Sequence, residues 1–500
     1  DALTTSGRNV ALGYAALSAE TLGQYSTAIG YLALGSQSNT SNLATYNTAV
    51  GYGAGSVINT GVNNTLIGGL AGDAITTGNR NTALGQSALG ATTTANDTVG
   101  IGHNALALNT TGANNTSVGT YSLATNSTGA NNTAVGYRAG TAVTTGIENT
   151  LMGGFAGDAL TSSTGNVAVG HLSLSAATTA DLNTAIGHRA LTTNILSDRN
   201  VALGYAALST HNLASNADGY NVAVGYNAGG AVTTGITNTL IGGLTGDALT
   251  DADYNTAVGF EALTSDTLGN RSVALGYFAL RNQNFTSATD SYNTALGFAA
   301  GEAVTTGIQN TFIGGLAGDA LTDADYNVAV GYNALTSDTL GSYSTAIGRN
   351  ALYSQNFTSA TASHNTALGY AAGEGITTGT NNTLLGSGAG DATDDGANNT
   401  AIGSSALSAN CGDLNTAVGV NSALVATGAN NTVVGGNSGK ALTSGSNNLF
   451  LGKDAGRTGS PGGNITTASN ILSLGDESIA TANIQVDWTV ASDQRDKTDF

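Results

Sequence analysis

Small and bulky apolar residues alternate over short stretches that end in glycine, and the stretch recurs along most of the chain. Its form is a variant of Asn-Thr-Ala-(Val/Ile/Leu)-Gly, which occurs 26 times between Gly13 and Gly452. We call the last glycine of each copy the anchor glycine. The numbers of successive anchor glycines, such as Gly85 and Gly102, differ by 17 in most intervals, by 21 in four and by 16 in two. Alternation with a period of two is typical of a β-strand, and a fixed short repeat is typical of a solenoid.

A second apolar patch, usually Ala-Leu, follows each anchor glycine by three and four positions, as in Ala16-Leu17 and Ala190-Leu191. Two strand-like pieces joined by turns of Gly, Asn, Ser and Thr fit well into one such interval. We therefore predict an all-β fold, a parallel β-solenoid (β-roll) of about 26 coils, over residues 1–453. With a coil spacing of ~4.8 Å, the predicted shaft is on the order of 125 Å long.

Two departures from the basic period add detail to this prediction. The four longer intervals each carry four extra residues, which we expect to form loops that bulge from one side. These loops are Ser36–Tyr46, Ser209–Tyr220, Arg281–Tyr292 and Tyr353–His364. A Gly-Asp-Ala sequence also recurs every four or five coils, which indicates that blocks of coils were duplicated. Its aspartates are Asp73, Asp158, Asp247, Asp319 and Asp391.

These repeated aspartates are too widely separated to form a general acid–base pair, which needs carboxyl groups roughly 5–10 Å apart. We expect their carboxylates to accept hydrogen bonds from N–H groups in turns, and a calcium site is the alternative.

Composition and charge narrow the class of partner. The chain has 72 glycines, one proline and a net charge of −19, with 13 basic residues. Nucleic acid is an unlikely partner because phosphate binding needs clustered Lys and Arg. No apolar run reaches the roughly 20 residues of a membrane span, so membrane insertion is not expected. Cys411 is the only cysteine and is expected to fill space in the core.

A coil this short encloses little core, so part of the Val, Leu and Tyr side chains would stay exposed in a single chain. We expect several identical chains to cover them by sharing an axis, with threefold symmetry as the common outcome for fibres. The Asn-Thr-Ala-Val-Gly coils resemble the Asn-Ser-Val-Ala-Ile-Gly coils in the heads of trimeric autotransporter adhesins. That resemblance covers about residues 9–453 and implies a homotrimeric parallel β-roll. The adhesin repeat is shorter, so the resemblance supports the architecture more than the identity.

The residue directly after the anchor glycine is often aromatic, and it supplies the candidate binding residues. This position carries Tyr14, Tyr31, Tyr52, Tyr137, Tyr205, Tyr226, Tyr277, Tyr332 and Tyr370, with Phe260 and Phe298. We expect the rings to stack on one another or to pack in a shared core, and sugar binding is the alternative. His103, His171 and His188 occupy the same position. In a trimer, His171 or His188 could form a ring of three metal ligands, although His in an aromatic position is the simpler interpretation. We predict no cofactor.

The repeat stops after Gly452. Residues 454–469, which include Pro461, are predicted to be a linker, residues 470–491 a short terminal β segment, and residues 492–500 a charged stub. The stub resembles the Ser-Asp-x-Arg-x-Lys junction that opens the intramolecular chaperone of phage tail spikes and fibres. The resemblance implies self-cleavage with Ser492 as the nucleophile and Lys497 as the base. The chaperone body is absent from the chain. An ordinary charged tail is the alternative interpretation of the stub.

Together these patterns favour a homotrimeric phage tail fibre, located on the virion and extracellular, with no enzymatic activity beyond that junction. The expected partners are phage tail or baseplate proteins and a host cell-surface receptor, either a glycan or an outer-membrane component. The chain begins at Asp1 without Met or a signal peptide, so we expect the natural N-terminus and its attachment region to be missing. The alternatives are a bacterial trimeric adhesin head, a polysaccharide-degrading tailspike and a monomeric ice-binding solenoid.

Overall fold

The computed structural model of the protein describes residues 7–481 and 483. Contacts divide the chain into two units, Asp1–Asn327 and Val328–Phe500, and each unit is built from stacked coils. Each coil contributes one three-residue strand that ends just before its anchor glycine, and strands of consecutive coils pair in parallel. The described residues contain strands and turns but no helix, and so none that could cross a membrane. The predicted parallel β-solenoid of about 26 coils with a 17-residue period is confirmed.

The strands fall into one long ladder in each unit and three short side ladders. In the first unit the long ladder consists of β1 (Val10–Leu12), β2 (Thr27–Ile29), β3 (Thr48–Val50), β4 (Thr65–Ile67), β5 (Thr82–Leu84), β6 (Val99–Ile101), β7 (Thr116–Val118), β8 (Thr133–Val135), β9 (Thr150–Met152), β10 (Val167–Val169), β11 (Thr184–Ile186), β13 (Val201–Leu203), β15 (Val222–Val224), β16 (Thr239–Ile241), β17 (Thr256–Val258), β19 (Val273–Leu275), β21 (Thr294–Leu296) and β22 (Thr311–Ile313). In the second unit it consists of β23 (Val328–Val330), β25 (Thr345–Ile347), β27 (Thr366–Leu368), β28 (Thr383–Leu385), β29 (Thr400–Ile402), β30 (Thr416–Val418), β31 (Thr432–Val434), β32 (Leu449–Leu451) and β33 (Leu472–Leu474). The side ladders pair β12 (Ser197–Asp198) with β14 (Ala217–Asp218), β18 (Gly269–Asn270) with β20 (Thr289–Asp290), and β24 (Gly341–Ser342) with β26 (Thr361–Ala362).

Coils stack in register, so equivalent residues lie above one another. Ala168 of β10 pairs with Ala185 of β11, for example. The anchor glycine makes this close stacking possible. Gly170 has a φ of +132°, and a Cβ atom there would lie 2.5 Å from the carbonyl oxygen of Gly187 in the next coil. Any side chain at this position would therefore push the coils apart.

The second apolar patch of each coil is not a strand, contrary to the sequence prediction. It is a run of turns in which the residues two and four after the anchor glycine have left-handed backbone, as in Tyr121 (φ 59°) and Leu123 (φ 47°). The patch still stacks between coils, because the Leu123 N–H donates to the Ala139 carbonyl at 3.0 Å. Its Ala and Leu side chains are fully buried. The patch therefore contributes to the core without extended backbone.

A ladder of buried asparagines runs four positions before the anchor glycines. Asn149 shows its bonding. Its Oδ1 accepts the backbone N–H of Asn166 in the next coil at 3.1 Å, and its Nδ2 donates to the Ser163 carbonyl at 2.8 Å. Its own backbone N–H donates to Oδ1 of Asn132 in the previous coil at 3.0 Å. Each asparagine thus satisfies a turn N–H and a turn C=O that the strands leave unpaired.

The sizes of the side chains at two facing core positions are complementary. Eleven of the 26 coils place Ala two positions before the anchor glycine and Leu four positions after it. Where the first position is bulky, as at Leu151, the second is glycine. A Cβ atom on Gly140 would lie 2.6 Å from Leu151 Cδ1, and one on Gly157 would lie 2.8 Å from its Cδ2. This complementarity explains the Gly of the repeated Gly-Asp-Ala sequence, because Gly157 is one of these glycines.

The last described coil is longer than the others. Strand β33 pairs in parallel with β32, although the glycines that follow them, Gly452 and Gly475, lie further apart in the chain than any two successive anchor glycines. The predicted linker 454–469 forms turns between these two strands and buries Ile465. The predicted terminal segment 470–491 begins with β33. Its other expected strand, residues 484–488, lies outside the described residues.

Candidate interaction surface

One surface follows the strand ladder through each unit, and we call it the outer stripe. It consists of the residues three before, one before and one after each anchor glycine, which all point away from the core. In strand after strand the middle residue is buried while its two neighbours are partly or fully exposed. From the sequence, part of these Val, Leu and Tyr side chains was expected to stay exposed in a single chain. They do face outwards, with Tyr52 62 % and Leu84 45 % exposed within the stack.

The outer stripe has an apolar middle row, between a row that is mostly Thr and a row that mixes aromatic with polar residues and glycine. The residue before the anchor glycine is Val, Ile, Leu or Met in every coil, and many are more than a third exposed, such as Met152 and Leu296. Contiguous apolar surface of this kind is rare on monomeric proteins and marks an interaction site. The stripe is therefore the surface on which a partner is expected.

Aromatic side chains of the outer stripe stack on one another along the ladder. The rings of His171, His188, Tyr205 and Tyr226 form one column, with successive centroids 5.4, 5.4 and 5.3 Å apart and planes within 14° of parallel. A second column consists of Tyr14, Tyr31 and Tyr52, at 5.4 and 5.3 Å. Ring faces inside such a column cover each other. Mutual stacking, one of the two roles proposed from the sequence, is therefore present. Inside a column, a sugar could contact only the edges of the rings.

The two candidate metal ligands, His171 and His188, are neighbours in the first of these columns. Both are exposed, and their stacked rings are 5.4 Å apart. His103 lies elsewhere and meets the ring of Tyr121 edge-on. Among the described residues, no group of three His, Cys, Asp or Glu side chains could hold a metal ion. A metal at His171 and His188 would need ligands from other copies, and it stays a prediction.

The repeated aspartates lie in the turns after the anchor glycines. Burial raises the pKa of Asp73 and of Asp158, against the effect of a hydrogen bond from each residue's own backbone N–H. Asp247 accepts a hydrogen bond from the Thr264 hydroxyl in the next coil. Each aspartate belongs to a separate coil, which agrees with the expectation that they do not act as a catalytic pair.

Sequence reasoning missed a set of buried polar clusters beneath the four longer intervals. In one of them, Asp266 is fully buried and accepts the Gln283 side-chain N–H at 2.6 Å and the Phe285 backbone N–H at 3.2 Å. Burial raises the pKa of Asp266, against these hydrogen bonds. Asp338 repeats the arrangement with Gln355. The only signal in the sequence was the extra length, which does not reveal that the added residues are held by a buried carboxylate.

Glu20 takes the same role under the first of these intervals. Its Oε2 accepts from Gln37 at 2.8 Å and from Asn39 at 2.7 Å, and its Oε1 accepts the Gly23 backbone N–H at 2.7 Å. Burial on its own would raise the pKa of Glu20, but these hydrogen bonds outweigh it and hold the pKa below its ordinary value. The carboxylates therefore fasten the extra residues to the coil.

The cluster beneath residues 209–220 differs from the other three. Asn194 takes the place of the acid, and His211 takes the place of the glutamine. The His211 ring is fully buried, and its Nε2 lies 2.9 Å from the Ser197 hydroxyl. Burial lowers the pKa of His211 to about 4. The imidazole is therefore neutral near pH 7, because its buried site disfavours the charged form.

Acid is expected to weaken this coil through His211. The pKa in the unfolded chain is near 6.5, so the unfolded chain binds the proton first as the pH falls, and the folded state loses stability between about pH 6.5 and 4. The full loss corresponds to about 3 kcal/mol. Replacing His211 with Gln, the residue in the other three clusters, should remove this loss. Thermal unfolding at pH 7 and pH 5 tests it: the wild type should lose more stability than His211→Gln, and equal losses would contradict the assignment.

The two residues of the predicted self-cleavage junction, Ser492 and Lys497, lie outside the described residues. Their roles rest on the sequence motif alone. Cys411 is buried, as predicted, with its sulfur 3.5 Å from the Thr393 hydroxyl. Burial raises the pKa of its thiol, which makes it a poor nucleophile.

Comparison with known proteins does not add to the geometry. The chain matches no protein-family model, and no curated protein is significantly similar to it. Its function is therefore inferred from the coils, the outer stripe and the sequence motifs.

Proposed function

We propose that the chain is the shaft of a homotrimeric bacteriophage tail fibre that brings the virion to a host surface. The observation that carries the proposal is the apolar outer stripe, which repeats with every coil and has the same form in both units. Identical chains side by side would bury this stripe along the ladder, as the resemblance to trimeric adhesin heads implies. Three copies also present every surface feature three times, which raises avidity without new contacts.

The assignment to a phage rests on the C-terminal motif. The resemblance to the chaperone junction implies that a trimeric chaperone folds the fibre and then cuts itself off at Ser492, with Lys497 accepting the proton. Under this proposal the protein is an extracellular virion component, with phage tail proteins on one side and a host glycan or outer-membrane component on the other. It has no other enzymatic role.

Charge on the outer stripe is expected to prevent assembly. The double variant Val135→Asp and Val169→Asp places two carboxylates on outward positions of β8 and β10 and leaves the buried Ala134 and Ala168 in place. Three copies would bring six carboxylates into an apolar interface, where unpaired charges are costly. Light scattering should find a single chain where the wild type shows three.

The matched control adds the same two charges elsewhere. Asn63 and Asn131 occupy the exposed turn position five before the anchor glycine, where Asp97 occurs naturally. The variant Asn63→Asp with Asn131→Asp should keep the wild-type mass. An unchanged mass in the outer-stripe variant would contradict the proposed interface.

The biological setting can be tested with antibodies raised against the purified chain. Electron microscopy should show the antibodies bound to phage tails, on virions of the phage that encodes the chain. Labelling of a bacterial cell surface would instead support the adhesin alternative. Labelling of neither would contradict both assignments.

A further inference from the structure

Two similar groups of surface side chains lie beside two of the longer intervals, and they differ in that the second has Leu182 where the first has Tyr254. In one, the Arg271 guanidinium donates to Asp290, and the Tyr292 hydroxyl donates to the same carboxylate at 3.4 Å. In the other, Arg199 and Tyr220 bond to Asp218 in the same way. We call these groups the Arg–Asp–Tyr triads. Both lie in the first unit, and equivalent residues are separated by four coils.

The fold holds each triad in place. Strand β20, which contains Asp290, pairs in parallel with β18, which ends at Asn270, directly before Arg271. In the other triad, strand β14, which contains Asp218, pairs in parallel with β12, which ends directly before Arg199. Beneath the first of these side ladders, the buried Asp266 fastens residues Arg281–Tyr292 through Gln283. The triads are therefore built on anchored segments, which reduces the ordering cost of binding.

Aromatic side chains in the row that contains Tyr220 and Tyr292 are concentrated near the longer intervals. The row is the turn position five before each anchor glycine, where most coils carry Asn or another small or polar residue. Six of its eight aromatic members belong to coils at or next to the longer intervals, namely Tyr25, Tyr46, Tyr220, Tyr292, Tyr343 and His364. The other two, Tyr254 and Tyr326, lie one coil further away. Core packing does not require them, because Tyr220 and Tyr292 are half exposed.

The chemistry of a triad points to a neutral ligand rich in hydroxyl groups. The Arg271 guanidinium carbon lies 5.2 Å from the Tyr254 ring centre and 5.9 Å from that of Tyr292, so the cation lies between two rings. A guanidinium has five N–H donors. Among the described residues, only Asp290 accepts a hydrogen bond from the Arg271 guanidinium. The pair of Arg271 and Asp290 has no net charge. On a chain of net charge −19 such a patch favours a neutral ligand over an acidic one.

We propose that the two Arg–Asp–Tyr triads, with the segments Ser209–Tyr220 and Arg281–Tyr292, are equivalent binding subsites for neutral glycan chains. The guanidinium and the phenol would donate to sugar oxygens, the carboxylate would accept from sugar hydroxyls, and the exposed rims of the tyrosine rings would contact the sugar C–H groups. Four coil spacings place the two subsites about 19 Å apart, so one long glycan can reach both. This inference rests on the proposed function, which supplies the host surface that would carry the glycan.

The test uses the full chain and an array of neutral oligosaccharides alongside oligosaccharides that contain uronic acid. One variant is Tyr220→Asn with Tyr292→Asn, since Asn131 has the same left-handed backbone in that row. A second is Asp218→Ala with Asp290→Ala. The equivalent residues at the other two intervals are alanines, Ala44 and Ala362. Both variants should therefore fold.

We expect the wild type to bind at least one neutral oligosaccharide and each double variant to bind it at least tenfold more weakly. The control Asn63→Thr, which changes the same row far from the triads to the residue found at Thr237, should bind like the wild type. The proposal is overturned if no neutral glycan binds, if only acidic glycans bind, or if binding survives both double variants. Light scattering on the same samples separates this outcome from the proposed trimer: a wild type of threefold mass that binds no neutral glycan overturns the subsites alone, and weakened binding of the double variants at an unchanged threefold mass supports them.

Discussion

Replacing Asn149 with alanine is expected to destabilise its part of the first unit by about 2–6 kcal/mol. The change leaves the Asn166 N–H and the Ser163 carbonyl without their partner in a site that water does not reach. An unsatisfied buried polar group costs roughly 1–3 kcal/mol, and two are created here. Coils of a solenoid unfold partly independently, so the effect is best measured locally. Hydrogen exchange should be faster in the coils on either side of Asn149 than in distant ones.

The neighbouring residue offers a matched control. Thr150 follows Asn149 in the chain but points to the outer stripe, and no hydrogen bond of its side chain is present among the described residues. Thr150→Ala should change the exchange rates little. Equal exchange in the two variants would show that the asparagine ladder does not stabilise the stack.

Replacing Phe312 with alanine should cost about 3–5 kcal/mol, the usual range for removing a buried phenylalanine. Phe312 is fully buried two positions before its anchor glycine. The facing positions are Gly301 and Gly318, where a Cβ atom would lie 2.6 and 2.5 Å from the ring. Because both facing residues are glycines, no side chain at these positions can fill the cavity left by the ring.

The chain itself supplies the conservative replacement. Leu151 and Leu240 occupy the position of Phe312 in other coils, between glycines of the same kind. Phe312→Leu removes less of the ring's volume than Phe312→Ala and should therefore cost less, about 1 kcal/mol. Thermal unfolding and hydrogen exchange around residues 295–320 would measure both variants. If Phe312→Ala were as stable as Phe312→Leu, the large side chain would not be needed to fill the space beside the two glycines.

The sequence predicted the solenoid because its two strongest signals are local and repeated. Alternation of Thr, Ala and Val before each glycine requires a strand with one buried face. The regular spacing of the glycines then requires the strands to stack. Even the unusual glycines could be found, since Gly140 and Gly157 bracket the bulky Leu151 at regular distances.

Two features could not be predicted for physical reasons. The second apolar patch buries Leu123 through left-handed turns, and the pattern of burial is the same as it would be for a short strand. The buried acids are the other. Asp266 and Gln283 lie in different coils, and each looks like an ordinary polar loop residue until the stack brings them together. The Arg–Asp–Tyr triads were missed for the same reason, because Arg271 and Asp290 meet only across a coil.

The mass of the purified chain in solution tests the central claim most directly. In the proposed trimer the apolar row of the outer stripe is buried between three copies. Light scattering should therefore give a mass of three times 49.1 kDa, stable on dilution. A stable species of 49.1 kDa, with the outer stripe exposed to water, would contradict the account.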